Sequence, residues 1–242
     1  MNGDPRPAAI ARRLGEVGRI VAVSSGKGGV GKSLVAATLA ATLADAGRRV
    51  GLLDLDFAGS SAHVVLGAAR GLPHEDRGIV PPVVAGVRFM SLVHYIGEAA
   101  APLRGDADAN AIAELLAITR WGPLDLLLVD MPPGMGDATL ETIRLLPRAE
   151  FLVVATASRM ALPVVRRVLG FLQELRVPIV GAAENMAHGA GSVVAAALAG
   201  VPFLGALPYD PTIEDVVGDV PALLATPFGQ AVREMMRRAG LG

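Results

Sequence analysis

Gly26-Lys27-Gly28-Gly29-Val30-Gly31-Lys32-Ser33 lies between an apolar run, Ile20–Ser24, and a helical pattern running from Gly31 to Ala46. Strand, glycine-rich turn, Lys-Ser and helix in that order match G-x-x-x-x-G-K-[ST]. The glycines let successive backbone N–H groups turn inward around an anion, where a Cβ would obstruct, and the following helix N-terminus adds partial positive charge. The spacing predicts a nucleotide phosphate cradle from Gly26, Lys27, Gly28, Gly29, Val30, Gly31, Lys32, Ser33 and Leu34. Lys32 is expected to reach the β- and γ-phosphates and Ser33 to ligate Mg²⁺. Of the 22 basic residues, all but Lys27 and Lys32 are arginine. A compact ammonium fits a phosphate cradle that a planar guanidinium would crowd.

Outward from this loop, short apolar runs alternate with helical patterns. Strands are predicted at Val50–Leu53, Val87–Leu92, Leu126–Val129, Phe151–Ala155, Ile179–Ala183 and Phe203–Leu207. Helices are predicted at Ala109–Arg120, Asp137–Leu146, Leu162–Leu175, Ser192–Leu198 and Pro227–Ala239, and Gly67–Pro82 is a loop. The strands are continuous apolar runs, the mark of parallel strands covered on both faces. The expectation is α/β: a single doubly wound, mostly parallel sheet with helices on both faces, over residues 19–242. Residues 1–18 form a polar extension.

The polar clusters fall at the carboxyl ends of these strands, where such sheets bind ligands. Asp130 at the tip of a buried strand is suited to hold Mg²⁺ through water, and Met131-Pro132-Pro133-Gly134 allows a tight turn whose Gly134 N–H could meet a γ-phosphate. Asp137 reads equally as a helix cap or part of a switch. Asp56 could orient an attacking water, with Asp54 in the metal's outer shell; strand-end turn chemistry is the other reading of this pair. Asn185 and Pro208-Tyr209-Asp210 close two later strands. Asn185 could meet a purine edge and Pro208 its face, or both are loop chemistry.

Composition narrows the classes. Net charge is −1, so no chain-wide field supports nonspecific nucleic-acid binding, which leaves a local basic patch open. With no cysteine, disulfides and thiolate iron–sulfur ligation are impossible. No apolar signal core opens the chain, which points to the cytoplasm. Met186 to Tyr209 lacks Asp, Glu, Lys and Arg, but its glycines and Pro202 read as buried helix and strand rather than a membrane span. The last helix places Phe228, Val232, Met235, Met236 and Ala239 on one face. That face either docks on the core or meets a membrane or partner.

The second lysine, Lys27, goes beyond the general loop, and with it Ser25–Ser33 resembles the deviant Walker A signature of the MinD/ParA group. Val50-Gly51-Leu52-Leu53-Asp54, Gly59-Ser60-Ser61, Asp130–Asp137, Glu184-Asn185-Met186 and Val201-Pro202-Phe203-Leu204-Gly205 resemble its Mrp branch, ATPases linked to iron–sulfur cluster carrying. The resemblance implies a homodimer sandwiching two ATP molecules with Mg²⁺. Lys27 would cross to the partner's nucleotide, Asp56 would position water, Asp130–Asp137 would be a second switch, and Asn185, Pro208 and Asp210 would hold adenine. The sequence departs from the branch where Cys-x-x-Cys usually follows Glu-Asn-Met. Ala187-His188-Gly189-Ala190-Gly191 stands there instead, and the branch's extra N-terminal domain is not seen.

Three functions follow as expectations. The first is an Mrp-type ATPase without its own cluster, working beside a cysteine-bearing paralogue or another assembly-pathway protein. The second is a MinD/ParA-like positioning ATPase acting on a membrane, DNA or a protein. The third is a kinase or ligase, for which no acceptor residues stand out.

Overall fold

The computed structural model describes residues 4–57, 59–69, 71–96, 106–156, 158, 161–189, 192, 194–198 and 200–242. In chain order the elements are α1 (Arg6–Arg13), β1 (Val17–Ser24), α2 (Lys32–Asp45), β2 (Val50–Asp54), α3 (Ala62–Val65), β3 (His74–Glu75), β4 (Ile79–Val80), β5 (Val83–Val84), β6 (Val87–Ser91) and α4 (Val93–Ile96). They continue with α5 (Asp106–Ile118), β7 (Leu124–Asp130), α6 (Asp137–Leu145), β8 (Ala149–Thr156), α7 (Leu162–Glu174), β9 (Ile179–Ala187), β10 (Phe203–Pro208), α8 (Ile213–Val216), α9 (Val220–Ala225) and α10 (Pro227–Arg238).

The described strands form an eight-stranded sheet in the order β10-β9-β8-β1-β7-β2-β6-β5. All neighbours run parallel except the edge pair β5–β6. The chain leaves β1 towards β2, then returns to insert β7 between them before moving to β8 on the other side. That reversal opens a crevice at the carboxyl ends of β1, β7 and β2.

The continuous apolar runs have a direct cause. Val21, Val23, Leu52, Leu128 and Val154 pack into one core with α2, α9 and α10. The alternate residues Ala22, Leu53, Leu127, Val129 and Val153 pack into a second core with α1, α5, α6 and α7. Side chains alternate along a strand, so a strand covered on both faces must be apolar at every position.

Several segments differ from the sequence expectation. The segment read as a polar extension carries α1, whose Ile10 joins the second core together with Leu14, and β1 starts at Val17 rather than Ile20. Asp4 pairs with Arg6 at the start of that helix, and Arg6 Nη1 donates to Asn110 Oδ1 of α5 at 3.0 Å. The loop from Gly67 to Pro82 contains the short antiparallel pair β3–β4. Where a helix was expected over Ser192–Leu198, the described residues form a single 3₁₀ turn, Ala195–Ala197, and Ala190 and Gly191 lie outside the described residues. The uncharged run from Met186 divides between the end of β9, this turn and β10. Among the described residues no helix is long and apolar enough to cross a membrane. The α10 face docks on the core, with Phe228, Val232 and Met235 fully buried.

Candidate functional site

The turn between β1 and α2 is built for close backbone approach. Gly31 sits at the N-cap of α2 with φ 77°, and Gly29 has φ 75°. A side chain at either would be strained. A Cβ on Gly28 or Gly29 would meet nothing within 4 Å, so their backbone faces open space, whereas a Cβ on Gly31 would fall 2.3 Å from Asn185 Nδ2. The turn borders a cavity of about 300 Å³ lined by Lys27 to Leu34, Ser25, Asp56, Gly59, Ser61 and Pro133. The walls are backbone N–H groups, a helix N-terminus and an ammonium, a donor set for an anion.

The floor is a charge cluster. Asp54 and Asp130 stand at the same level on the neighbouring strands β2 and β7. Lys32, 5% exposed, places Nζ 2.5 Å from Asp130 Oδ1 and 3.5 Å from Asp56 Oδ2. Asp54 accepts from the Asp56 N–H at 3.0 Å and from the Ser60 hydroxyl. Burial first, and then the charge of Asp130, push the Asp54 carboxyl up to about 7, against Ser60, the Asp56 N–H and Lys32. Burial also raises Asp130, opposed by Lys32 and the Ser33 hydroxyl. Asp130 Oδ2 is buried and unpartnered among the described residues. One ammonium thus faces three carboxylates, and a divalent cation would relieve that balance.

The hard oxygen donors Ser33, Asp130 and Asp54 fit Mg²⁺. Among the described residues no three acidic or histidine side chains converge as a ready metal cage.

The remaining predicted residues lie around this centre in different ways. Lys27 is exposed at the cavity's edge, and its carbonyl accepts from the Ser25 hydroxyl at 3.0 Å. Gly134 gives its N–H to the Ser25 carbonyl at 2.9 Å, so a phosphate contact there requires that bond to open. Asn185, 2% exposed, donates to the Val30 carbonyl at 2.9 Å and so braces the cradle from below. Pro208 ends β10, and Asp210 accepts from the N–H and hydroxyl of Thr212. Neither of these two borders the cavity. Asp137 opens α6 with Gly136 at the N-cap and no side-chain cap, so the capping reading does not hold. Ser25 and Ser60 have roles that sequence reading did not assign. Both stand inside segments that carry the family resemblance, but each role depends on where its side chain points.

With this geometry in place, comparison with known proteins adds kinship. The sequence profile of the ParA-type NUBPL iron-transfer P-loop NTPases matches residues 16–238. The iron-sulfur cluster carrier protein of Mycobacterium tuberculosis (strain ATCC 25618 / H37Rv) is 35% identical over 97% of this chain and 68% of its own length. The chloroplastic Fe-S cluster assembly factor HCF101 of Oryza sativa subsp. japonica is 35% identical over 96% of this chain and 48% of its own length. A nucleotide-binding protein from Archaeoglobus fulgidus, solved with ADP, superimposes with a TM-score of 0.76 at 29% identity, covering 92% of this chain and 94% of that one. The septum site-determining protein MinD of Pyrococcus horikoshii OT3, solved with Mg-ADP, shares the fold, with a TM-score of 0.63 at 21% identity and coverage of 90% and 93%.

Proposed function

The chain belongs to the family of NUBPL iron-transfer P-loop NTPases, and from that membership we propose that it is a slow, ATP-hydrolysing dimeric switch serving iron–sulfur cluster assembly without holding a cluster itself. One observation carries the reading: a buried lysine shared by Asp130 and Asp56 at the floor of a glycine cradle. ATP would replace Asp130 as the partner of Lys32. The freed carboxylate would then face Mg²⁺ through water, and Ser33 would hold the ion directly. The metal's contribution is neutralisation of phosphate charge. Asp56 would orient the attacking water, Lys27 would reach the partner subunit's nucleotide, and Asn185, Pro208 and Asp210 would lie towards the base.

Switching requires ATP to bind the closed dimer more tightly than the open chain, since a ligand of equal affinity shifts nothing. The site of work is the cytoplasm, beside a cysteine-bearing paralogue or assembly partner. With no cysteine, and His188 as the one imidazole beside the Glu-Asn-Met segment, two subunits would offer two ligands there, too few for a cluster. The docked α10 disfavours a membrane-bound positioning role, because its apolar face is already covered.

The test is mass in solution combined with metal content. Asp56→Ala with Mg-ATP should run at twice the mass of the nucleotide-free chain, and anaerobic treatment with iron and sulfide should leave the protein colourless. A monomer under saturating ATP, or a stable cluster at stoichiometric iron, would refute the corresponding half of the proposal.

A further inference from the structure

The amino edge of the sheet, opposite the nucleotide cradle, carries a second cavity of about 530 Å³. Its wall includes Arg12 and Arg13 from α1, Arg88 from the start of β6, and Arg120 and Trp121 between α5 and β7. That volume falls within the roughly 300–1,000 Å³ of small-molecule sites. Four guanidinium groups face two carboxylates, Glu16 and Asp76. Asp76 is already taken by Arg120, and among the described residues Glu16 makes no ion pair.

Arg13 and Arg88 are held in place without being neutralised. Arg13 donates to the Ala117 and Arg77 carbonyls at 3.2 and 2.7 Å. Arg88 Nη1 donates to the Trp121 carbonyl. A neutral carbonyl fixes a guanidinium but leaves its charge and remaining N–H groups for another acceptor. Two left-handed glycines make room for them. A Cβ on Gly78 (φ 134°) would lie 2.7 Å from Arg13 Nη2 and 3.1 Å from Arg120 Cγ, and one on Gly122 (φ 61°) would lie 3.0 Å from Arg88 Nη1. Trp121 is fully buried, and its indole N–H has no acceptor among the described residues. Buried N–H groups are rarely left that way.

We infer that this cavity binds a small, multiply charged oxyanion of the phosphate class, separately from the nucleotide cradle. Rigid forked donors without a carboxylate partner are the chemistry that phosphate oxygens match. Arg12 supplies free charge at the rim: it is exposed and makes no ion pair among the described residues.

Trp121 is the only tryptophan, and its carbonyl accepts from Arg88 Nη1 at the cavity wall, so its emission is the readout for a ligand that engages Arg88. The intact chain is titrated with inorganic pyrophosphate, with sodium chloride at matched ionic strength as the control. The expected result is a saturable change in emission that sodium chloride does not reproduce. Affinity should fall about threefold in Arg12→Ala, which removes no side-chain hydrogen bond or ion pair among the described residues, and about tenfold in Arg88→Gln. Thermal melting of Arg12→Ala should match that of the parent. An emission change of equal affinity in both variants, a change reproduced by sodium chloride, or no saturable change in the parent would overturn the assignment.

Discussion

Lys27 and Lys32 sit five residues apart in one loop, yet the fold assigns them opposite surroundings. Lys32 is buried against Asp130 and Asp56, while Lys27 is exposed at the cavity's edge. A buried ammonium is committed to the carboxylates that offset its burial, whereas an exposed one is available to a second molecule. Lys27→Ala should therefore bind Mg-ATP within about threefold of the parent but hydrolyse it at least ~100-fold more slowly, on the scale of charge-donating fingers in other nucleotide hydrolases. Steady-state phosphate release together with equilibrium nucleotide binding checks this. Normal turnover would remove the cross-subunit role. The placement of Lys32, Ser33, Asp54 and Asp130 was legible in the sequence because each stands at a strand or helix end. Ser60 was not, because its bond to Asp54 depends on the path of the loop after β2.

Among the elements, the junction of β1 and α2 depends on the end of β9. Asn185 and Val30 are 155 residues apart in sequence, and their hydrogen bond ties the cradle's backbone to the sheet's far half. Neither the periodicity of β9 nor the loop motif could place that contact, so Asn185 read as a possible base ligand or as loop chemistry. Gly31 makes the brace possible, since it combines a left-handed backbone with the absence of a Cβ. Gly31→Ala should force the brace apart. Mg-ATP affinity is expected to fall at least ~10-fold, by about 1.4 kcal/mol or more, while circular dichroism keeps the parent's helix content. Unchanged affinity would show that the cradle's shape does not depend on this contact. The turn at Ala195–Ala197 shows the opposite limit of sequence reading. A run of alanine and valine suggested a regular helix, but the described residues there make a single tight turn before Pro202 and β10. Ahead of it, Glu184 on β9 accepts from the Ser192 hydroxyl and the Val194 N–H, and these bonds compete with a helical ladder.

For the whole molecule, the doubly covered sheet was legible because burial on both faces leaves an unbroken apolar strand, a pattern that does not depend on topology. The insertion of β7 between β1 and β2 was less so, as strand order leaves no local mark on sequence. The last helix resolves an alternative that the sequence left open. Phe228, Val232 and Met235 join the core above α2, and Arg233 pairs with Asp45 at 2.7 Å. Phe228→Ala should cost about 3–5 kcal/mol in denaturant unfolding, as removal of a buried aromatic ring does. A loss below about 1 kcal/mol would return that face to the pool of candidate partner surfaces.

The account rests on phosphate capture by the loop between β1 and α2, and calorimetry with Mg-ATP tests that most directly. The prediction is one saturable site per chain for the parent, weakened at least ~100-fold, about 2.7 kcal/mol, in Lys32→Ala. Absence of saturable heat in the parent, or equal affinity in the variant, would contradict it.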